Sequence, residues 1–94
     1  MENLEVQREK IDVIDRQIVS LLEERLKVVE EVARIKKEQN IAVLDTAREQ
    51  KVLEKVAQYV EEPKYRKIIQ DTYQSLMDIS KAYQKDKIED KKCK

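Results

Sequence analysis

The sequence lacks the residue types on which several common kinds of site depend. It has 94 residues with no histidine, glycine, tryptophan or phenylalanine, and with one proline and one cysteine. Tight hairpins and phosphate-binding loops use glycine at positive φ, so the sequence argues against both. Without histidine there can be no Ser-His-Asp triad and no histidine-ligated zinc. The lone Cys93 cannot form a disulfide within the chain, and we expect it to be a surface thiol.

The charge balance excludes further classes of protein. Twenty basic residues match twenty acidic ones, so the chain has no basic surplus of the kind that nucleic-acid-binding proteins carry. The longest apolar run, residues 41–44, is too short to cross a bilayer, and the N-terminus has no signal-peptide pattern. We therefore expect a cytoplasmic protein that binds neither nucleic acid nor membranes.

What the sequence does contain favours an all-α fold. It is rich in Glu, Lys, Leu, Val and Ile, which suit long amphipathic helices. A first helix is predicted from about Leu4 to Glu38, with Asn40 as its terminator. Its apolar residues recur at steps of three and four, a pattern typical of a packed helix seam. This predicted seam comprises Ile11, Ile14, Ile18, Leu21, Val28, Val32 and Ile35.

Two shorter helices are predicted after the first. The second runs from about Asp45 to Val60. Asp45 and Thr46 are both good N-cap residues, and Thr46 with Glu49 fits a capping box. The third begins at Pro63, a favourable first helical residue. Residues 1–84 thus read as one helical domain. Residues 85–94 read as a charged tail, either a frayed helix end or disordered.

The length of the first helix predicts a second chain. About 35 helical residues give a rod of roughly 50 Å. A compact domain of this size should have a radius of gyration of only about 12–13 Å. The apolar seam would therefore extend into water unless a second copy covered it. We expect an intertwined helical homodimer with three helices per chain.

Polar residues interrupt the apolar faces of all three helices. Arg25 stands where the seam of helix one requires an apolar residue, which fits either a buried ion pair or a group that binds an anion. Lys36 could be a surface lysine, Asp45 a helix cap, and Ser80 a small residue at a helix crossing. The cationic residues Arg25, Lys36 and Arg48, if they met, would instead suit a small carboxylate ligand.

Five short segments resemble the all-helical class of chorismate mutases, over about residues 4–84. They are R-x-x-I-D-x-I-D at 8–15, L-L-x-x-R at 21–25, a lysine at 36, D-x-x-R-E at 45–49, and S-x-x-x-Q at 80–84. The resemblance implies the Claisen rearrangement of chorismate to prephenate, on the route to phenylalanine and tyrosine. It implies no metal and no organic cofactor. Because the chain ends ten residues after Gln84, we expect a free-standing, monofunctional enzyme.

The resemblance also implies roles for individual residues. Arg25 and Arg48 would hold the substrate's carboxylates. Lys36 and Gln84 would donate hydrogen bonds to the ether oxygen as its bond to carbon breaks, and Glu49 would bind the ring hydroxyl. Further contacts would come from Asp45 and Ser80, and from Arg8 of the partner chain. Arg8 and Arg25 are 17 residues apart, about 25 Å along one helix, so one small substrate cannot touch both from a single chain.

Other functions remain compatible with the sequence. Isochorismate-pyruvate lyase has a similar fold and a related pericyclic reaction. A non-catalytic regulatory domain that binds chorismate or prephenate is a second alternative. A helical adaptor dimer without a small ligand is a third, and in that case Arg25 could be replaced by Leu, and Lys36 by Gln, without loss of function.

Overall fold

The computed structural model describes residues 3–89 and is all-helical, as predicted. Helix α1 spans Leu4–Gln39 and helix α2 spans Thr46–Tyr59. A single 3₁₀ turn at Pro63–Tyr65 leads into helix α3, Arg66–Glu89. Helix α3 thus continues into the segment predicted as a tail, while residues 90–94, including Cys93, lie outside the described residues. Within residues 3–89, no helix combines the length and the apolar character needed to cross a membrane.

Asparagine residues cap both ends of α1. The Asn3 side chain accepts a hydrogen bond from the Glu5 amide at 2.9 Å, which satisfies one of the free amides of the first turn. Asn40 adopts the left-handed conformation, with φ 56° and ψ 41°, and its amide donates to carbonyls of the last turn. In a chain without glycine, asparagine is the residue best able to adopt that conformation. The predicted terminator is confirmed.

The start of α2 differs from the predicted capping box. Asp45 is the N-cap, and its side chain accepts from the Arg48 amide at 2.9 Å. Thr46 is therefore the first helical residue rather than the cap, and the Glu49 side chain makes its ion pair with Lys81 on α3. Of the two predicted caps, Asp45 is confirmed. The capping box of Thr46 and Glu49 was wrong, because with Asp45 as the cap Glu49 lies one position too far along the helix.

The start of the third helix also differs from the prediction. Pro63 opens the 3₁₀ turn, in which the Tyr65 amide donates to the Glu62 carbonyl at 3.0 Å. The α-helical hydrogen-bond pattern begins only at Arg66. A 3₁₀ turn is a frequent entry to an α-helix, and proline is compatible with either at this position.

Helix α3 is the central element, since it packs against both α1 and α2. The most buried side chains come from all three helices. They are Ala33 of α1, Val56 of α2, and Met77, Ser80 and Gln84 of α3. Two of these five are polar, which places hydrogen-bonding groups at the centre of a small core.

Helix α1 carries two adjacent apolar stripes rather than the single predicted seam. The stripe that packs within the chain passes through Leu22, Val29 and Val32 and includes Arg25 and Lys36. Leu21 and Val28 of the predicted seam are 63% exposed, and Ile35 is 40% exposed. Val32 of the predicted seam lies on the packed stripe, but Leu21, Val28 and Ile35 are each one residue away from it. Each residue turns the helix by about 100°, and the doublets Leu21-Leu22 and Val28-Val29 fit either phase.

The N-terminal half of α1 extends beyond the rest of the chain. All residues from 3 to 20 are exposed, including the predicted seam members Ile11, Ile14 and Ile18. The chain measures 58 × 31 × 16 Å and has a radius of gyration of 16.9 Å. A compact domain of this length would have a radius of about 12 Å. The excess comes from a long helix with no neighbour in its own chain over half its length.

Candidate functional site

A cavity of about 300 Å³ lies between the three helices, at the C-terminal half of α1. Apolar side chains form much of its wall, and charged or polar groups project from each helix. Its polar and charged lining residues are Arg25, Lys36, Arg48, Glu49, Ser80, Lys81 and Gln84. Small-molecule sites have this composition, with a mainly apolar wall and a few converging polar groups.

Arg25 is the residue that interrupts the apolar stripe of α1, and the structure shows its partner. Its Nη1 donates to Ser80 Oγ on α3 at 2.7 Å. Ser80 is only 7% exposed, so its hydroxyl fixes one nitrogen of the guanidinium at the cavity wall. A guanidinium has five N–H donors, and one hydrogen bond leaves capacity for a bidentate interaction with a carboxylate.

Lys36 is held from two directions. Its Nζ donates to the Val43 carbonyl at 3.0 Å and to Gln84 Oε1 at 3.1 Å. The first bond ties α1 to the loop before α2, and the second ties α1 to α3. Because Oε1 of Gln84 accepts from Lys36, the Nε2 amide is the group of Gln84 that can donate to a ligand. Both side chains line the cavity, so two donors are placed side by side.

Glu49 is the carboxylate of the cavity. Its side chain is 19% exposed, and Oε2 lies 2.9 Å from Lys81 Nζ across the α2–α3 boundary. The contact is an ion pair without an aligned hydrogen bond, since the fully buried Oε2 accepts no directed hydrogen bond. Lys81 also lies 3.4 Å from Asp78 Oδ1. The ion pair with Glu49 raises the pKa of Lys81 above its ordinary value and outweighs the opposing effect of partial burial.

The remaining predicted residues lie at different distances from the cavity. Arg48 lines it from the first turn of α2. Asp45 is exposed at the N-cap of α2 and is not among the lining residues. Arg8 is near the start of α1, where its exposed side chain pairs with Glu5 at 3.4 Å. The structure thus brings six of the eight predicted residues to one cavity, and leaves Asp45 beside it and Arg8 remote from it.

Two groups of the cavity were missed by the sequence analysis. Lys81 lies four residues after Met77 and so falls on the packed face of α3, a spacing that could have drawn attention to it. Its pairing with Glu49 joins different helices and has no sequence signal. The Val43 carbonyl, which orients Lys36, is a backbone group in a loop and has no signal in residue type either.

The electrostatics of the cavity favour an anionic ligand. Four cationic side chains line it against one carboxylate. Guanidinium and ammonium groups in a partly apolar wall bind carboxylates more strongly than in water. Within residues 3–89, no cluster of three or more Cys, Asp or Glu side chains is arranged to hold a metal ion. The arrangement can bind, orient and electrostatically stabilise a small anion with several acceptor oxygens.

Comparison with known proteins gives one family. Residues 7–85 match the family described as chorismate mutase type II, and the matched span includes every residue that lines the cavity. Neither the curated proteins nor the solved structures give a match to the chain.

Proposed function

The chain belongs to the type II chorismate mutase family, and from this premise we propose that it catalyses the rearrangement of chorismate to prephenate for phenylalanine and tyrosine synthesis. The observation that carries the proposal is the convergence of Arg25, Lys36 and Arg48 on one cavity of about 300 Å³. In the reaction an ether carbon–oxygen bond breaks while a carbon–carbon bond forms in the same molecule. No nucleophile or external proton donor is needed.

Arg25 and Arg48 are proposed to hold the two carboxylates of the substrate. They approach the cavity from α1 and α2, and the Ser80 hydroxyl already orients Arg25. Chorismate reacts only when its side chain folds over the ring. Two cations on different walls of one cavity would favour that compact conformer, and such restriction can account for several kcal/mol of a typical enzymic barrier reduction.

Lys36 and Gln84 are proposed to stabilise the transition state. As the ether bond breaks, negative charge builds on the ether oxygen. Lys36 Nζ and the Nε2 amide of Gln84 are the adjacent donors in the cavity. The hydrogen bond from Lys36 Nζ to Gln84 Oε1 at 3.1 Å keeps both side chains in place before substrate arrives. Donors fixed in advance need no reorganisation during the reaction, so their interaction with the developing charge lowers the barrier.

Glu49, Asp45 and Arg8 complete the proposed site. The Glu49 carboxylate lines the cavity and would accept a hydrogen bond from the ring hydroxyl. Asp45 would act from the N-cap of α2, where it fixes the first turn that carries Arg48. Arg8 would reach a carboxylate in the cavity of a second copy, because it lies about 25 Å from Arg25 along its own helix.

A homodimer follows from the same residues. The N-terminal half of α1 exposes a regular apolar stripe, with Ile11, Ile14 and Ile18 between 47% and 54% exposed. A second copy packed along this stripe would cover it and bring a second Arg8 toward the cavity. The proposed catalytic unit is therefore the dimer, with two sites that each use both chains.

The test is conversion of two substrates by the purified protein without added metal. Chorismate should be consumed with equimolar formation of prephenate, while isochorismate should release no pyruvate. Pyruvate from isochorismate, with chorismate untouched, would assign the lyase function instead. Binding of chorismate without turnover would identify a regulatory domain, and no binding of either compound would reject the proposal.

A further inference from the structure

Lys81 is the charged group of the cavity to which no role has yet been given. It lies between Ser80 and Gln84 in sequence, at one of the positions that the S-x-x-x-Q segment leaves unspecified. Its side chain is 27% exposed and lines the cavity. Two other cations of the cavity make hydrogen bonds to other groups. Arg25 donates to Ser80, and Lys36 donates to Val43 and Gln84.

The contact with Lys81 gives the partly buried Glu49 carboxylate a partner of opposite charge. Glu49 Oε2 is inaccessible to water and accepts no directed hydrogen bond, so its charge has lost solvation without gaining a neutral donor. Lys81 Nζ at 2.9 Å supplies the compensating charge. The Asp78 side chain is 57% exposed, and its Oδ1 lies 3.4 Å from Lys81 Nζ. Asp78 therefore helps to hold the ammonium in place from the solvent side.

We propose that Lys81 is a positioning residue that holds the Glu49 carboxylate in the cavity as the acceptor for the ring hydroxyl of the substrate. This rests on the proposed function. Without the Lys81 contact the Glu49 side chain is free to adopt other rotamers, so loss of the ammonium should weaken binding of the hydroxyl. The other cations that line the same cavity are Arg48 on α2, and Arg25 and Lys36 on α1.

Kinetics of Lys81 variants provide the first part of the test. Lys81→Met keeps most of the aliphatic stem and should lower kcat/KM at pH 7.5 about tenfold, the effect of losing one charged contact. The loss should appear mainly as a higher KM, and Lys81→Arg should restore it. Lys67→Met is the matched control, since Lys67 pairs with Asp71 on the same helix at 2.9 Å but is 82% exposed and outside the cavity.

A double-mutant cycle distinguishes action through Glu49 from direct contact with the substrate. In a Glu49→Gln background, which has no carboxylate to hold, Lys81→Met should change kcat/KM by less than about twofold. A full tenfold loss in that background would show that Lys81 contacts the substrate itself and would overturn the proposal. So would a single Lys81→Met variant that retains the wild-type kcat/KM.

A double-mutant cycle on stability separates this inference from the proposed function, because it needs no substrate. Urea unfolding of the wild type, Lys81→Met, Glu49→Gln and the double variant measures the coupling between the two side chains. Lys81→Met should lower the urea midpoint of the wild type but change that of Glu49→Gln little. Additive changes in an enzyme that converts chorismate would overturn the role of Lys81 alone. A wild-type protein without mutase activity would reject the proposed function, whatever the midpoints.

Discussion

At the scale of single residues, the proposed chemistry depends most on Lys36. Its ammonium is oriented by a backbone carbonyl and by a buried amide before any ligand binds. A surface lysine would not be held in this way, because two fixed acceptors restrict a side chain that is otherwise highly mobile. Lys36 is therefore not the mobile surface lysine that the sequence left open, and its part in the reaction stays a prediction.

Replacement of Lys36 by Met tests this reading. If the ammonium interacts with charge that develops only in the transition state, its loss lowers kcat more than it raises KM. We expect kcat to fall at least about 100-fold, or roughly 2.7 kcal/mol. Lys27→Met, at an exposed position of the same helix, is the control and should keep wild-type kinetics. A kcat for Lys36→Met within about threefold of wild type would remove Lys36 from the mechanism.

Ser80 is expected to act through Arg25. Ser80→Ala removes the hydroxyl that accepts from Arg25 Nη1 at 2.7 Å and leaves the methyl-sized core of the residue in place. Loss of this bond should cost about 1–2 kcal/mol of substrate binding, seen mainly as a KM about five- to thirtyfold higher. Steady-state kinetics of Ser80→Ala and Arg25→Lys check the prediction. A normal KM in Ser80→Ala would show that Arg25 is positioned by other contacts.

At the scale of elements, a contact outside the cavity joins α1 to α3. The Tyr83 hydroxyl on α3 donates a short hydrogen bond to the Glu30 carboxylate on α1. Lys87 completes the group, with its Nζ 3.8 Å from Glu30 Oε2 and 5.4 Å from the centre of the Tyr83 ring. This group lies along the same helix pair that carries Lys36 and Gln84, so it helps to hold the two donors in register.

The Tyr83 contact predicts a change of stability at alkaline pH. The hydrogen bond to Glu30 raises the pKa of Tyr83 above its ordinary value of 10.0. A group whose pKa is raised on folding stabilises the protein fully below its unfolded pKa, and this stabilisation is lost as pH rises through the folded value. Tyr83→Phe should therefore lower the urea midpoint at pH 7.5, and the difference from wild type should shrink above pH 10. A difference that stays constant to pH 11 would contradict this.

The elements also show what a sequence can predict here. The extents of α1 and α2, the Asn40 terminator and the apolar face of α2 follow from local spacing and capping chemistry. The phase of the packed stripe on α1 does not, because apolar doublets leave the rotation of the helix undetermined until α3 packs against it. The Glu49–Lys81 pair depends on the relative placement of two helices, which no spacing within either helix encodes.

At the scale of the whole molecule, the extended N-terminal half of α1 is the feature that most needs a partner. An exposed apolar stripe of this length on a single chain is typical of an interaction surface. The cavity lies at the other half of α1, so an antiparallel second copy would place its Arg8 near the cavity. Formation of the dimer would then both cover the apolar stripe and complete the site.

A charge within the apolar stripe should separate the two chains. Ile14→Asp and Ile18→Asp place an unpaired carboxylate on the proposed interface, which costs several kcal/mol when buried. We expect sedimentation equilibrium to give twice the chain mass of 11.2 kDa for the wild type. Both variants should give lower average masses, with mutase activity reduced in parallel. Arg16→Asp, on the opposite side of α1, is the control and should remain dimeric; a monomeric wild type with full activity would refute the interface.

The central claim is that Arg8 of a second copy completes the cavity. Recovery of activity from two inactive proteins tests this claim most directly. Arg8→Ala and Arg25→Ala should each nearly abolish conversion of chorismate. After mixing and demonstrated subunit exchange, half of the dimers would be mixed, and each would contain one intact site of two. About a quarter of the wild-type activity should therefore return. No recovery after complete exchange would show that Arg8 and Arg25 do not serve one site from different chains.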